Sequence, residues 1–218
     1  MTNKLNLFLV VFLCLASALA CSKFTELAKN AANSVEKETK DSPKLPSGGP
    51  FTLEGKDWKF YDISGTDIKI ELPGEPKDKS PKPEQLPPGY KEIFSAMHIS
   101  ALDDGGFSVA ASQLDPTGKR KFTIKELADT SMMAMKRQLP DLKYTLDTSS
   151  DTKAKYTGSF TKNGKDYEVG GCCLYKKTDP SRVWAIITIV PNGNADARTA
   201  ADRALKNVTF SGGTDTCN

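Results

Sequence analysis

The stretch "RVWAIITIV", residues 182–190, decides the fold. Side chains of an extended strand alternate between two faces, so Val183, Ala185, Ile187 and Ile189 share one side and Trp184, Ile186 and Val190 the other. Both sets are apolar. Such a strand has to be covered on both sides, which places it inside a sheet with a packing layer above and below.

Two segments read as helices that supply those layers. "TIKE", residues 123–126, is a capping box: the Thr123 hydroxyl takes a backbone N–H while Glu126 reaches back. Ile124, Leu127, Ala128, Met132, Met135 and Leu139 then form a stripe at helical spacing, and Pro140 ends it. Met132 and Met135 read as core filler rather than a ligand surface. The second helix is expected after Asn194, with Ala197, Ala200, Ala201, Ala204, Leu205 and Val208 as its stripe. Its alanines allow a close approach to a sheet.

The remaining apolar segments alternate and read as strands. "DWKFYDI" (57–63) and "TDIKIELPG" (66–74) are joined by Ser64 and Gly65. "YKEIFSAMHISAL" (90–102) and "GGFSVAASQL" (105–114) flank the turn "DDGG" (103–106). "LKYTLDT" (142–148) precedes a long hairpin at 154–177 that turns on Asn163-Gly164, a strong hairpin signal. "EPKDKSPKPEQLPPG" (75–89) carries five prolines and predicts an extended surface loop. Strands, helix, strands, helix in that order predict an α+β fold: an antiparallel sheet with a helix packed on each face.

Upstream, residues 5–20 are apolar except for Asn6 and Ser17, with Lys4 before them and small residues at their end, just before Cys21. This is the layout of a secretory signal, and the run is shorter than the roughly 18–20 residues needed to span a bilayer. "ALAC" (18–21) also resembles the lipobox of bacterial lipoproteins, whose cysteine is acylated and becomes the new N-terminus. That motif usually has Leu third and a small residue second before the cysteine, whereas Ala18 and Leu19 stand here. The resemblance implies a lipid on Cys21, such as palmitate, and a partner in the bilayer. The same Ala18-Leu19-Ala20 fits ordinary signal cleavage, which would release a secreted protein. Residues 21–50 read as a tether. Phe24, Leu27, Ala28, Ala31 and Val35 lie at helical spacing, but a face made mostly of alanine buries too little to hold a helix alone. The expected organisation is a signal at 1–20, the tether at 21–50, an α+β domain at 51–212 and a C-terminal tail at 213–218.

The element order resembles the PsbP-like fold, an α/β/α sandwich shared by extrinsic photosystem subunits and Ran-binding nuclear import factors. The residues that carry the likeness are "IKIELPGEP" (68–76), "FTIKELADTSMMAMKRQLP" (122–140), and "RVWAIITIV" followed by "ARTAADRALKNVTF" (197–210). The resemblance implies an accessory or binding domain and transfers no functional residue.

Composition narrows the function. With 30 basic and 27 acidic residues among 218, charge is nearly balanced, so no basic patch for nucleic acid is expected. One histidine, His98, lies mid-strand and reads as structural. There is no second histidine or Cys-x-x-Cys pair for a metal, and no cofactor is expected. "DDGG" and "SGGP" lack the lysine and helix of a phosphate loop. Asp103 and Asp104 read as turn formers. Of the cysteines downstream of the signal, Cys172 and Cys173 are adjacent on a strand and point to opposite faces, which opposes a bond between them, although Gly170 and Gly171 would permit a relaxing bulge. The disulfide expected is Cys217 to one of that pair, with the other thiol buried. The functional expectation is a non-enzymatic envelope lipoprotein, a binding or assembly module for another envelope protein. Its alternatives are a secreted enzyme using His98 and a thiol-redox protein cycling Cys172 and Cys173.

Overall fold

The strand Arg182–Pro191 (β9) lies at the centre of a seven-stranded sheet, with three strands on either side. The computed structural model describes residues 51–82, 90–118, 122–148, 150–176, 182–210 and 215–217. The expected signal, Cys21 and the tether lie outside the described residues. In chain order the elements are β1 (Lys59–Asp62), β2 (Lys69–Leu72), β3 (Lys77–Asp78), α1 (Tyr90–Ile93), β4 (Phe94–Asp103), β5 (Ser108–Pro116) and α2 (Ile124–Gln138). Then come β6 (Lys143–Asp147), β7 (Lys153–Lys162), β8 (Lys165–Lys176), β9, α3 (Ala195–Lys206), β10 (Val208–Phe210) and β11 (Asp215–Thr216).

The sheet runs β3-β4-β5-β9-β8-β7-β6 and every pairing is antiparallel. The two faces of β9 feed different cores. Val183, Ala185, Ile187 and Ile189 join one cluster with Leu127, Ala128, Met132 and Met135 of α2. Trp184, Ile186 and Val190 join the other with Ala197, Ala200, Ala201 and Ala204 of α3. Ile186 and Ile187 are fully buried, each contributing about 1.5–3 kcal/mol of apolar transfer.

Both helix starts carry their caps. Glu126 N–H donates to the Thr123 hydroxyl at 3.2 Å and Thr123 N–H donates to the Glu126 carboxylate at 2.8 Å. Ala197 N–H donates to Asn194 Oδ1 at 2.9 Å. The β7–β8 hairpin turns on Asn163 at φ 54° and Gly164 at φ 71°, the left-handed pair of a tight hairpin turn.

Several details differ from expectation. The described residues form two sheets: β1, β2, β10 and β11 make a separate four-stranded antiparallel sheet. The proline-rich stretch begins with β3, which pairs Lys77 and Asp78 to Ala101 and Ser100 of β4. Hydrogen bonds hold it where no apolar pattern marks it: Lys79 N–H donates to Ile99 O at 2.8 Å, and Ile99 N–H to Ser80 Oγ at 3.0 Å. Residues 90–93 form a helical turn before β4. Helix α3 ends at Lys206, and Val208 is buried in β10 instead of extending the helical stripe. Residues 215–217, read as tail, contribute β11 and the buried Cys217 to the fold.

No bulge interrupts β8 at its glycines. Gly171 pairs in register with Tyr156 and Ile187, and Cys172 and Cys173 follow without a shift. The glycine makes room for an aromatic ring instead. A Cβ there would lie 2.1 Å from Ile186 O and 2.5 Å from the Tyr156 ring. Tyr156 uses that space to donate its hydroxyl to Ile186 O at 2.6 Å, and burial raises its pKa well above the ordinary tyrosine value.

Candidate functional site

The residues singled out from sequence do not converge. His98 is on β4, opposite Gln113 on β5, and two strands separate β4 from Cys172 and Cys173 on β8. Its ring packs against Gly65, where a Cβ would come within 2.7 Å of Nδ1. Asp103 accepts from Gly105 N–H at 3.3 Å and from the Ser108 hydroxyl at 3.2 Å, which serves the turn, and Asp104 pairs with Lys56, which ties the turn to the segment before β1. Among the described residues no group of three or more His, Cys, Asp or Glu side chains is placed to hold a metal ion.

The cysteines divide by face. Cys172 lies in the α3-side cluster and is bonded to Cys217, with their Cα atoms 5.7 Å apart. Cys173 lies in the α2-side cluster, free and buried, and burial pushes its thiol up to about 12. A thiol so placed is protonated at neutral pH, and the thiolate is the reactive form.

A partly buried polar network beside β9, with Gln113 and Trp184 at its buried centre, ties the two sheets together. Trp184 Nε1–H donates to Gln113 Oε1 at 2.9 Å, the same oxygen accepts Asp67 N–H at 3.0 Å, and Gln113 Nε2 donates to Asp115 at 2.9 Å. Arg182 pairs with Asp67 and lies 3.8 Å from Asp115. Each member serves another protein group, which marks a structural junction.

A concave feature lies elsewhere, beside α3. A groove of about 570 Å³ runs between that helix and strands β6, β7 and β8. On β7 the residues facing this side are Lys155, Thr157, Ser159 and Thr161, all exposed, whereas Ala154, Tyr156 and Phe160 on the other side are buried. Strand register lines them up. Lys143, Ser159 and Glu168 sit abreast, and Thr145, Thr157, Gly170 and Thr188 form the neighbouring row. Thr145 and Thr157 share a hydrogen bond of 2.9 Å between hydroxyls, and Thr188 donates to Gly170 O at 3.1 Å. Gly170 adds no side chain to this face, whereas Gly158 faces the α2 side, where a Cβ would meet Tyr144 and Leu142. The wall is Ala201 and Leu205 of α3, with Asp202 beside them and Arg198 ion-paired to Glu168.

Sequence reasoning missed this groove. Its signal was available in "YTGSFT", residues 156–161, where aromatic and hydroxyl residues alternate. That pattern says one face of the hairpin is wet, but nothing in it reveals that a helix distant in sequence walls the wet face.

No family model matches the chain, and no curated protein matches it. Solved structures similar to it include the following three. The Ran-binding protein Mog1p of Saccharomyces cerevisiae is 14% identical, covers 68% of this chain and 85% of its own, and has a TM-score of 0.41. LpqN, involved in cell envelope biogenesis of Mycobacterium tuberculosis, is 13% identical, with 75% and 99% covered and a TM-score of 0.43. Cyanobacterial PsbP from Synechocystis is 8% identical, with 77% and 100% covered and a TM-score of 0.40.

Proposed function

We propose that this chain is a non-enzymatic envelope lipoprotein that presents one folded α+β unit to a protein partner. In this reading residues 1–20 direct export, Cys21 carries an acyl group such as palmitate, and residues 21–50 tether the unit at 51–212, with 213–218 as its C-terminal segment. The observation that carries it is the cysteine placed directly after Ala18-Leu19-Ala20 at the end of the apolar run. Two or more acyl chains, at about 0.8 kcal/mol per buried CH₂, hold a protein on a bilayer durably. The folded unit is read as a PsbP-like α/β/α sandwich with one helix on each face. Support comes from the division of the core, in which α2 and α3 contribute to different clusters on either side of β9.

Against a thiol-redox role stands the placement of the vicinal pair. Cys172 is committed to Cys217, and Cys173 is buried on the opposite face of the sheet. A dithiol that cycles needs two sulfurs able to meet.

The test is fractionation of the expressing cell, with mass analysis of the mature N-terminus and crosslinked pull-down from membranes. The acylated Cys21 species should sediment with membranes and bring down a crosslinked protein, and Cys21→Ala should lose both. A mature protein that carries no lipid and stays in the aqueous fraction overturns the reading in favour of simple secretion.

A further inference from the structure

We propose that the groove between α3 and β6–β8 binds a neutral saccharide. The proposal rests on the envelope reading above and names the kind of ligand that the folded unit would meet there.

Charge comes first. The groove holds two cations, Lys143 and Arg198, and two anions, Glu168 and Asp202, so it has no net formal charge. Arg198 and Glu168 neutralise each other directly. Lys143 and Asp202 have no side-chain partner among the described residues, and neither does the Ser159 hydroxyl. A phosphate or carboxylate ligand would meet Asp202 and Glu168 as repulsive neighbours, and a polyamine would meet Lys143 and Arg198 in the same way. A neutral ligand meets neither penalty.

Hydrogen-bonding capacity narrows the class further. Ser and Thr hydroxyls both donate and accept, Lys only donates and an ionised Asp only accepts. Such a mixed set matches a ligand whose own groups both donate and accept at many points, which is the property of a sugar's hydroxyls. A peptide backbone offers donors and acceptors in fixed alternation, and a lipid tail offers none.

Shape agrees with chemistry. Gly170 adds no side chain to the floor of the groove. Leu205 presents apolar surface to the C–H face of a pyranose while its hydroxyls point to the strand side. The groove is shallow, so affinity in the millimolar to high-micromolar range is expected.

The experiment titrates the full mature chain, isotope-labelled and held in a detergent without a sugar headgroup. The probes are neutral oligosaccharides of glucose, mannose, galactose and N-acetylglucosamine, with inorganic phosphate and spermidine as charged controls. Saturable shifts of the Thr145, Thr157 and Ser159 amides are expected with at least one neutral saccharide and with neither control. Lys143→Gln and Asp202→Asn should each weaken that binding at least fivefold while the rest of the amide spectrum stays in place. Failure of every saccharide to saturate these amides, shifts driven by phosphate, or undiminished binding by both variants overturns the proposal. Acylation at Cys21 is read separately by mass, so loss of the anchor and loss of the ligand are distinct results.

Discussion

Cys172 of β8 is bonded to Cys217, 45 residues away, and the bond fastens the segment after β10 to the α3-side core. Both sulfurs are buried among apolar residues, so the link is structural. Closing a loop of that length stabilises by about 4 kcal/mol in the chain-entropy account. Cys217→Ser should therefore lower unfolding stability by about 2–4 kcal/mol in urea melts, with most of the loss reproduced in the parent by reductant. A variant as stable as the parent would show that the bond does not form. Peptide mapping without reduction checks the connectivity directly.

The thiol of Cys173 should be inert in the folded protein. Burial pushes it up to about 12, so at pH 8 almost none is thiolate and no solvent path reaches it. Iodoacetamide at pH 8 should leave Cys173 unmodified for as long as the fold persists and label it fully in denaturant. Rapid labelling under native conditions would mean that β8 opens locally, and would reinstate a reactive role for this sulfur.

Legibility in the sequence followed the range of the interaction that fixed each feature. The two faces of β9, the Thr123–Glu126 box, the helix start after Asn194 and the Asn163-Gly164 turn are encoded within a few residues, and each stands where its local pattern put it. The pairing of β3 with β4 left no such pattern, because backbone bonds and the Ser80 hydroxyl hold it without an apolar face. The separate four-stranded sheet was also invisible. It joins β2 to β10 through Ile70 and Val208, and nothing in either stretch names its distant partner. The groove was half legible: its hydroxyl face is written in β7, while its wall comes from α3.

The two glycines before the cysteines should respond very differently to the same substitution. At Gly171 a methyl group would overlap Ile186 O at 2.1 Å and the Tyr156 ring at 2.5 Å, and the strand, paired on both sides, has no room to yield. At Gly170 the nearest atoms are Thr188 Oγ1 at 3.3 Å and Leu205 at 3.6 Å, both in side chains that can shift. Gly171→Ala should cost 3 kcal/mol or more, or prevent folding, since overpacking a rigid site costs about 1–3 kcal/mol and sometimes exceeds it. Gly170→Ala should cost less than about 1 kcal/mol. Thermal melts of the pair decide the matter, and equal losses would contradict the packing described for Tyr156.

Acid should weaken the protein partly through Glu71. This nearly buried carboxylate on β2 accepts from Arg203 Nε at 2.9 Å and from the Asn207 side-chain amide at 2.5 Å, joining the small sheet to the end of α3. Arg203 in turn lies 4.3 Å over the Trp58 ring. The hydrogen bond from Arg203 is the leading cause that holds the Glu71 carboxyl below its ordinary value. Because the folded-state value is the lower one, the stabilisation is complete above the unfolded value, about 4.3, and disappears as pH falls through the folded value. The parent should therefore lose stability faster than Glu71→Gln on titration from pH 5 to pH 3. At pH 7 Glu71→Gln should cost about 1–3 kcal/mol, the usual range for hydrogen bonds to a charged group. Urea melts at several pH values measure both numbers, and parallel curves for parent and variant would remove Glu71 as a source of acid sensitivity.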